Sequence, residues 1–294
     1  MRIAVGPASR RLGEKIAKNL GLMEVYVEFK EFPDGETYLR VGEIEPSEDI
    51  LLVQSMAPPQ ARNLMVLVQM ISAIRDCTAG KIVAVVPYLA FARQDKAFLK
   101  CEAVSAKVTA KVIEANDVDT LLIVEPHSDE SFSWFTRKVL PIDPLQDLAS
   151  FLRNSRETKT VIAPDKGRIR EASVLAEMLG TSYGWVEKER DRRTGELVSK
   201  IGQLPVNTGS ALLFDDLIST GGTIANAARL LKAQGIESIE VATVHGLFVQ
   251  EGDVKIFQSG VSSIYAADTI EGKYTAYSVA RSVSQAVEKL SHGL

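Results

Sequence analysis

Short stretches of this sequence are apolar at almost every position, and most are followed by a segment with helical periodicity. Ile3–Val5, Ile50–Gln54, Ile82–Pro87, Thr120–Val124, Thr160–Ala163, Ala211–Phe214, Ile239–Thr243 and Ser263–Ala267 read as strands. A strand with no polar alternation is buried on both faces, as in a parallel sheet covered by helices. Helices are predicted at Arg10–Leu20, Arg62–Arg75, Val104–Ala115, Pro144–Arg153, Arg168–Leu179, Thr223–Gln234 and Tyr277–Leu290. In the last, Val279, Val283, Val287 and Leu290 recur at helical spacing. This alternation restricts the chain to an α/β fold with mostly parallel sheets.

With 294 residues there is room for two modest domains. The best boundary is "LPIDPLQDL", where two prolines precede a fresh helix. "KIVAVVPYLAFARQD" and "SIEVATVHGLFVQEG" share a strand-then-loop outline after a glycine-closed helix, a hint of a duplicated unit. A net charge of −4 argues against a nucleic-acid or anionic-membrane partner, but leaves room for an anionic small molecule in a local basic pocket. Two cysteines, Cys77 and Cys101, imply neither a disulfide framework nor zinc. The N-terminal apolar run is too short for a signal peptide, and no stretch approaches the ~20 apolar residues of a membrane span. A cytoplasmic protein is expected.

The most informative stretch is "SALLFDDLISTGGTIANAARLLKAQG". Asp215 and Asp216 are expected at the carboxyl end of a buried strand, the edge that lines the ligand crevice in open α/β sheets. Ser219, Thr220, Gly221, Gly222 and Thr223 follow at the start of a helix, where outward N–H groups and the helix dipole suit a phosphate. Two carboxylates repel phosphate but accept hydrogen bonds from a diol, so a sugar phosphate fits both features. Neither GxxxxGK[ST] nor GxGxxG is present. The competing reading is an acidic strand end followed by an ordinary Ser or Thr helix cap. A glycine pair opening a helix is costly without a purpose, which favours the ligand loop.

Four other stretches are less decisive on their residues alone. "EFPDGETYLRVGE" reads first as a proline–glycine hairpin turn, although Phe32 offers an aromatic face and Asp34 and Glu36 offer acceptors. "VVPYLAFARQDK" is either a solvated loop or a site where Arg93 stacks on a base and Lys96 reaches phosphates. His127, in "LLIVEPHSDE", and Asp165, in "TVIAPDKGRIREAS", end strands; imidazole is not a preferred magnesium ligand, so chemistry alone makes His127 a satisfied polar residue. "GWVEKERDRRTGELV" is charge-dense enough to be a solvated hairpin tip.

"LLFDDLISTGGTI" resembles the phosphoribosyl-diphosphate loop of type I phosphoribosyltransferases, and the same loop occurs in ribose-phosphate diphosphokinases. "FARQDK" and "KER" resemble the diphosphokinases and are left idle by a transferase reading. With the hairpin and the strand-end His and Asp, the resemblance to the diphosphokinases covers nearly the whole chain. It implies two type I phosphoribosyltransferase-like domains, 1–143 and 144–276, each a mostly parallel sheet flanked by helices, with helix 277–294 returning to the first. It implies an ATP site at Phe32, Asp34, Gly35, Glu36, Arg93, Gln94 and Lys96, shared between subunits, so that a homodimer or higher homo-oligomer is expected. It implies that His127 and Asp165 contact the Mg2+ of Mg–ATP, and that Lys188 and Arg190 are catalytic cations. Ribose 5-phosphate would be bound by Arg190, Asp215, Asp216, Ser219, Thr220, Gly221, Gly222 and Thr223. Ser219, Lys166, Arg168 and Glu125–Pro126 depart from common family patterns and look more like an archaeal branch. A transferase using phosphoribosyl diphosphate and a non-catalytic regulatory homologue are the alternatives.

Overall fold

A computed structural model describes residues 1–153, 159–190, 197–205 and 209–292. The described chain forms two compact units. The first comprises Met1–Pro144, Asp268–Glu271 and Ser278–Leu294, and the second Leu145–Ala267 and Gly272–Tyr277.

In chain order the first unit contains β1 (Arg2–Val5), α1 (Arg10–Leu20), β2 (Glu24–Val25), β3 (Val27–Glu31), β4 (Thr37–Val41), β5 (Ile50–Val53), α2 (Gln60–Cys77), β6 (Ile82–Val86), α3 (Ser105–Glu114), β7 (Thr120–Val124) and β8 (Lys138–Ile142). Among the described residues, six strands form one parallel sheet in the order β2-β1-β5-β6-β7-β8. Its central strands are wholly buried: Ile50 to Val53 and Leu121 to Val124 expose essentially nothing. That burial is why these runs carry no polar alternation. Strands β3 and β4 stand apart as an antiparallel hairpin.

The second unit contains α4 (Leu145–Leu152), β9 (Thr160–Ala163), α5 (Ile169–Leu179), β10 (Tyr183–Arg190), β11 (Leu197–Gln203), β12 (Ser210–Ile218), α6 (Gly222–Ala233), β13 (Ser238–Gly246), α7 (Gly252–Gln258), β14 (Ser263–Ala267) and β15 (Thr275–Tyr277). Its sheet runs β11-β10-β9-β12-β13-β14-β15, parallel except for the antiparallel β10–β11 pair. The core includes Ile162, Leu213, Val241 and Ile264 from the strands, with Ile224, Ala228 and Leu231 of α6 packed against them.

The last helix, α8 (Ala280–His292), belongs to the first unit, where it packs on α1 and on β7 and β8. Asp268–Glu271 ties into the same unit. Lys15 pairs with the buried Asp268 at 2.8 Å, Glu271 accepts hydrogen bonds from the N–H groups of Arg11 and Leu12, and Ser55 donates to the Thr269 carbonyl.

One strand differs from expectation in a way that matters for the site. The apolar run Ala211–Phe214 ends before the acids, but β12 continues to Ile218, so Asp215 and Asp216 lie inside the strand. The ladder with β13 carries them: Asp215 is opposite Thr243, Leu217 opposite His245 and Ile218 opposite Gly246. Backbone pairing extends a strand past its apolar stretch when the charges it brings in find partners.

Candidate active site

In the second unit, β9 has β10 on one side and β12 on the other. The chain leaves β9 toward β10 and later returns to β12, so the order reverses at β9. Ligands of open α/β sheets bind beyond the strand ends at such a reversal. Asp165 follows β9, and the acid pair lies near the end of β12.

The turn after β12 has the geometry of an anion cradle. Gly221 precedes α6 with φ 72°, in the left-handed region, and no side chain caps the helix. The ordinary Ser/Thr cap that competed with the ligand-loop reading is therefore absent here. The first N–H groups of α6 point out of the helix with the positive end of its dipole. Gly221 must be glycine for a second reason: a Cβ would stand 2.4 Å from the Gly252 carbonyl oxygen. Gly252 in turn approaches the Ser219 carbonyl, where a Cβ would lie at 2.8 Å. The segment before α7 supports the turn through Val249 N–H to Ser219 O at 3.0 Å and Leu247 N–H to Ile218 O at 2.9 Å. Phe248, Gln250 and Glu251 all have positive φ in this supporting loop. Sequence reasoning missed it; the glycines at 246 and 252 were the available signal.

The acid pair is buried and crowded. Asp216 N–H donates to Asp215 Oδ1 at 3.1 Å, and Thr243 Oγ1 donates to the Asp216 carbonyl at 3.2 Å. Tyr277 fixes that layer by donating to the Thr243 carbonyl. Burial pushes the Asp215 carboxyl well above the usual carboxylate range. The charge of Asp216 and a hydrogen bond with it add to the shift, and the nearby Arg168 guanidinium opposes it. Arg168 pairs with Asp216 at 2.6 Å and approaches Asp215 at 3.9 Å. Asp165 shapes the turn before Arg168 by accepting from Gly167 N–H at 3.0 Å.

Lys188 and Arg190 lie on the last residues of β10, opposite Ser199 and Leu197 of β11. Their side chains, and the tip at 191–196, lie outside the described residues. Just before them, Glu187 pairs with Lys166 at 3.3 Å and accepts from Trp185.

In the first unit the hairpin turn is formed by Phe32–Glu36. Phe32 N–H donates to the Glu36 carbonyl, Gly35 N–H to the Phe32 carbonyl, and Asp34 Oδ1 accepts from Glu36 N–H. Gly35 takes φ 91°, and Phe32 is 48% exposed. Arg93 and Lys96 are exposed in the loop after β6. Gln94 is partly committed: its Oε1 accepts from Ser105 Oγ and its carbonyl from Ala106 N–H at the start of α3. Asp95 joins this loop to the segment after β7, accepting from Ser128 Oγ at 2.7 Å and from Trp134 Nε1 at 2.9 Å. The structure thus links the Arg93–Lys96 loop to the segment bearing the exposed His127, two residues after Glu125 at φ 40°.

A family model described as the N-terminal domain of ribose phosphate pyrophosphokinase matches residues 1–116, and the phosphoribosyl transferase domain model matches 142–267. A ribose-phosphate pyrophosphokinase from Sulfurisphaera tokodaii is 37% identical over 92% of this chain and 93% of its own. The chain belongs to the ribose-phosphate pyrophosphokinase family. Other members of that name include those of Sulfolobus acidocaldarius, 35% identical over 98% of this chain and all of its own length, and Methanothermobacter thermautotrophicus, 37% identical over 93% and 95%. The crystal structure of phosphoribosylpyrophosphate synthetase from Mycobacterium smegmatis aligns over 100% of this chain and 99% of its own, with TM-score 0.86 and 25% identity. The α/β architecture expected from the sequence is thus the family's, and the archaeal relatives agree with the branch suggested by its departures.

Proposed function

We propose that this chain transfers the diphosphoryl group of Mg–ATP to the 1-hydroxyl of ribose 5-phosphate, giving 5-phosphoribosyl 1-diphosphate and AMP for nucleotide synthesis. The observation that carries the proposal is the uncapped, glycine-closed turn Ser219–Thr223 directly following a buried acid pair, in a chain that matches the family from end to end. Phosphate and diol need opposite electrostatics, and this stretch supplies both within one turn.

In this reading the Ser219–Thr223 turn holds the 5-phosphate, with the N–H groups of Gly221, Gly222 and Thr223 as donors. Asp215 and Asp216 accept from the ring hydroxyls. Phe32 and Arg93 sandwich the adenine, with Asp34 and Glu36 as acceptors for its amino group and Gly35 closing the turn. Gln94 and Lys96 serve the ATP site from the loop after β6. Lys188 and Arg190 stabilise charge that builds on the transferred group, and Arg190 also meets ribose 5-phosphate. The oxygen of the 1-hydroxyl gives up its proton to solvent and forms a bond to the β-phosphorus, the bond from that phosphorus to the α–β bridging oxygen breaks, and AMP leaves with that oxygen and the electron pair. Little covalent work falls to the protein; positioning and electrostatics supply the rate.

His127 and Asp165 would hold Mg2+. Magnesium usually takes one or two protein groups and completes its shell with phosphate oxygens and water. When bound, it neutralises phosphate charge. The exposed aromatics of the β3–β4 hairpin region, Tyr26, Phe32 and Tyr38, support a base site completed by a second copy in a homodimer or larger homo-oligomer. Among the described residues no helix is long and apolar enough to cross a membrane. The proposed setting is the cytoplasm.

AMP release from ATP should require ribose 5-phosphate. AMP formation without it, or activity only with phosphoribosyl diphosphate and a base, would defeat the proposal.

A further inference from the structure

Arg168 sits at the exit of the short 3-10 turn Lys166–Arg168, three residues after Asp165. Its backbone is tied to that aspartate, since Arg168 N–H donates to the Asp165 carbonyl and Gly167 N–H to its side chain. From there the guanidinium meets three carboxylates, one at each nitrogen. Nη2 is 2.6 Å from Asp216 Oδ2, Nε is 3.9 Å from Asp215 Oδ1, and Nη1 is 3.8 Å from Glu171 Oε1. The side chains are mostly buried: 13% exposed for Arg168, 6% for Asp216, 15% for Asp215 and 24% for Glu171. The Glu171 Oε2 atom is buried without a hydrogen-bond partner.

One cation serving three shielded carboxylates does more than balance charge. A planar fork fixes the directions of its acceptors, which a lysine ammonium cannot do. The close contact takes up Asp216. The longer one leaves Asp215, the more exposed of the pair, turned only partly toward the guanidinium. The two adjacent acids therefore differ in how firmly they are held despite identical chemistry.

We propose that Arg168 is a positioning residue for the sugar end of the site: its close contact fixes the orientation of Asp216, and its longer one leaves Asp215 freer to turn toward the ribose hydroxyls. This rests on the proposed function, in which the acid pair faces the sugar. Among the described residues, Arg168 contacts both acids, Glu171 contacts Arg168, Thr243 donates to the Asp216 carbonyl, and the charge of Asp165 acts on Asp215. The guanidinium of Arg168 opposes the upward shift of the Asp215 carboxyl, so its loss shifts that carboxyl further up.

The test combines ribose 5-phosphate binding by calorimetry with steady-state kinetics on wild type, Arg168→Ala, Arg168→Lys and Glu171→Gln. Arg168→Ala should weaken ribose 5-phosphate binding and raise its KM tenfold or more, with the ATP KM changed less than twofold. The acidic limb of kcat/KM for ribose 5-phosphate should move to higher pH. Arg168→Lys should restore most of the pH profile but not the KM, because it keeps the charge and loses the fork. Glu171→Gln, which removes a competing carboxylate, should move the limb to lower pH and remains informative if the alanine variant does not fold. A merely structural role would lower thermal stability and affect both substrates equally. That result, or an unchanged ribose 5-phosphate affinity and pH limb in the Arg168 variants, overturns the inference. Wild type that binds ribose 5-phosphate but releases no AMP would instead defeat the proposed function, while the binding comparison still decides the role of Arg168.

Discussion

Gly221 and Gly222 are neighbours, yet an added methyl should act on them in different ways. At Gly221 a Cβ meets the Gly252 carbonyl at 2.4 Å, and φ is 72°. The left-handed conformation costs an L-residue about 1–2 kcal/mol. Relieving the clash displaces backbone by about 1 Å against the supporting loop, an overpacking cost of roughly 1–3 kcal/mol. A total of about 2–5 kcal/mol corresponds to a Tm lower by roughly 5–20 °C in a protein of this size. At Gly222 the nearest atom to a Cβ is Thr220 Oγ1 at 4.0 Å, and the backbone needs no left-handed turn. Gly222→Ala should therefore fold with its Tm unchanged or slightly raised, since alanine suits a helix better than glycine. A Cβ on the first helical residue leans toward the helix N-terminus, into the space where a bound phosphate would meet the N–H groups. We expect both variants to raise the ribose 5-phosphate KM at least tenfold and to leave the ATP KM nearly unchanged, but only Gly221→Ala to lose stability. Differential scanning fluorimetry and initial rates suffice. If Gly222→Ala keeps both its Tm and its ribose 5-phosphate KM, the turn is not the phosphate cradle.

Lys188→Ala and Arg190→Ala should each reduce kcat a hundred- to a thousandfold, the ~3–4 kcal/mol typical of a lost transition-state donor; near-normal turnover in both would remove them from the chemistry. Phe32→Ala and Arg93→Ala should each weaken ATP binding. Mixing the two variants should recover activity if one site draws these residues from different subunits, and no recovery with subunit exchange demonstrated would refute the shared site. Asp215→Asn addresses the raised carboxyl pKa. A folded-state pKa above the unfolded value means the folded protein binds the extra proton, so stability from this site is greatest at low pH and declines as pH rises through the raised pKa. Asparagine mimics the protonated form. Asp215→Asn should therefore raise Tm clearly near pH 8 and hardly at all near the ordinary carboxylate pKa of about 4; an equal gain at both would show that Asp215 is not held out of its ionised state by the fold.

Burial on both faces explains which elements were legible. Strands β7, β9 and β14 have the bounds read from the sequence. Exposed elements left a weaker trace. β8, "KVLPI", sits at the sheet edge and carries Pro141, and proline within a run argues against a strand unless it lies at an edge. The three-residue β15 and the short α7 are below the length at which periodicity is readable. The hairpin reading of Phe32–Glu36 agrees with the backbone found there. At the site, the sequence pointed to Asp215–Thr223 through residue types alone. Charge inside a strand hid the true length of β12. The hold of Arg168 on Asp216 was not legible, because the partners are distant in sequence and meet only through the parallel pairing of β9 with β12. Arg168 stood out only as an unusual residue after Asp165.

The central claim is diphosphoryl transfer to the 1-hydroxyl of ribose 5-phosphate, and the fate of that oxygen decides it. With ribose 5-phosphate carrying 18O at its 1-hydroxyl, 31P NMR of the products should show an isotope shift on the phosphorus attached to C1, and AMP free of label. Formation of ADP, label appearing in AMP, or a product without a labelled carbon–oxygen–phosphorus bridge would contradict the account.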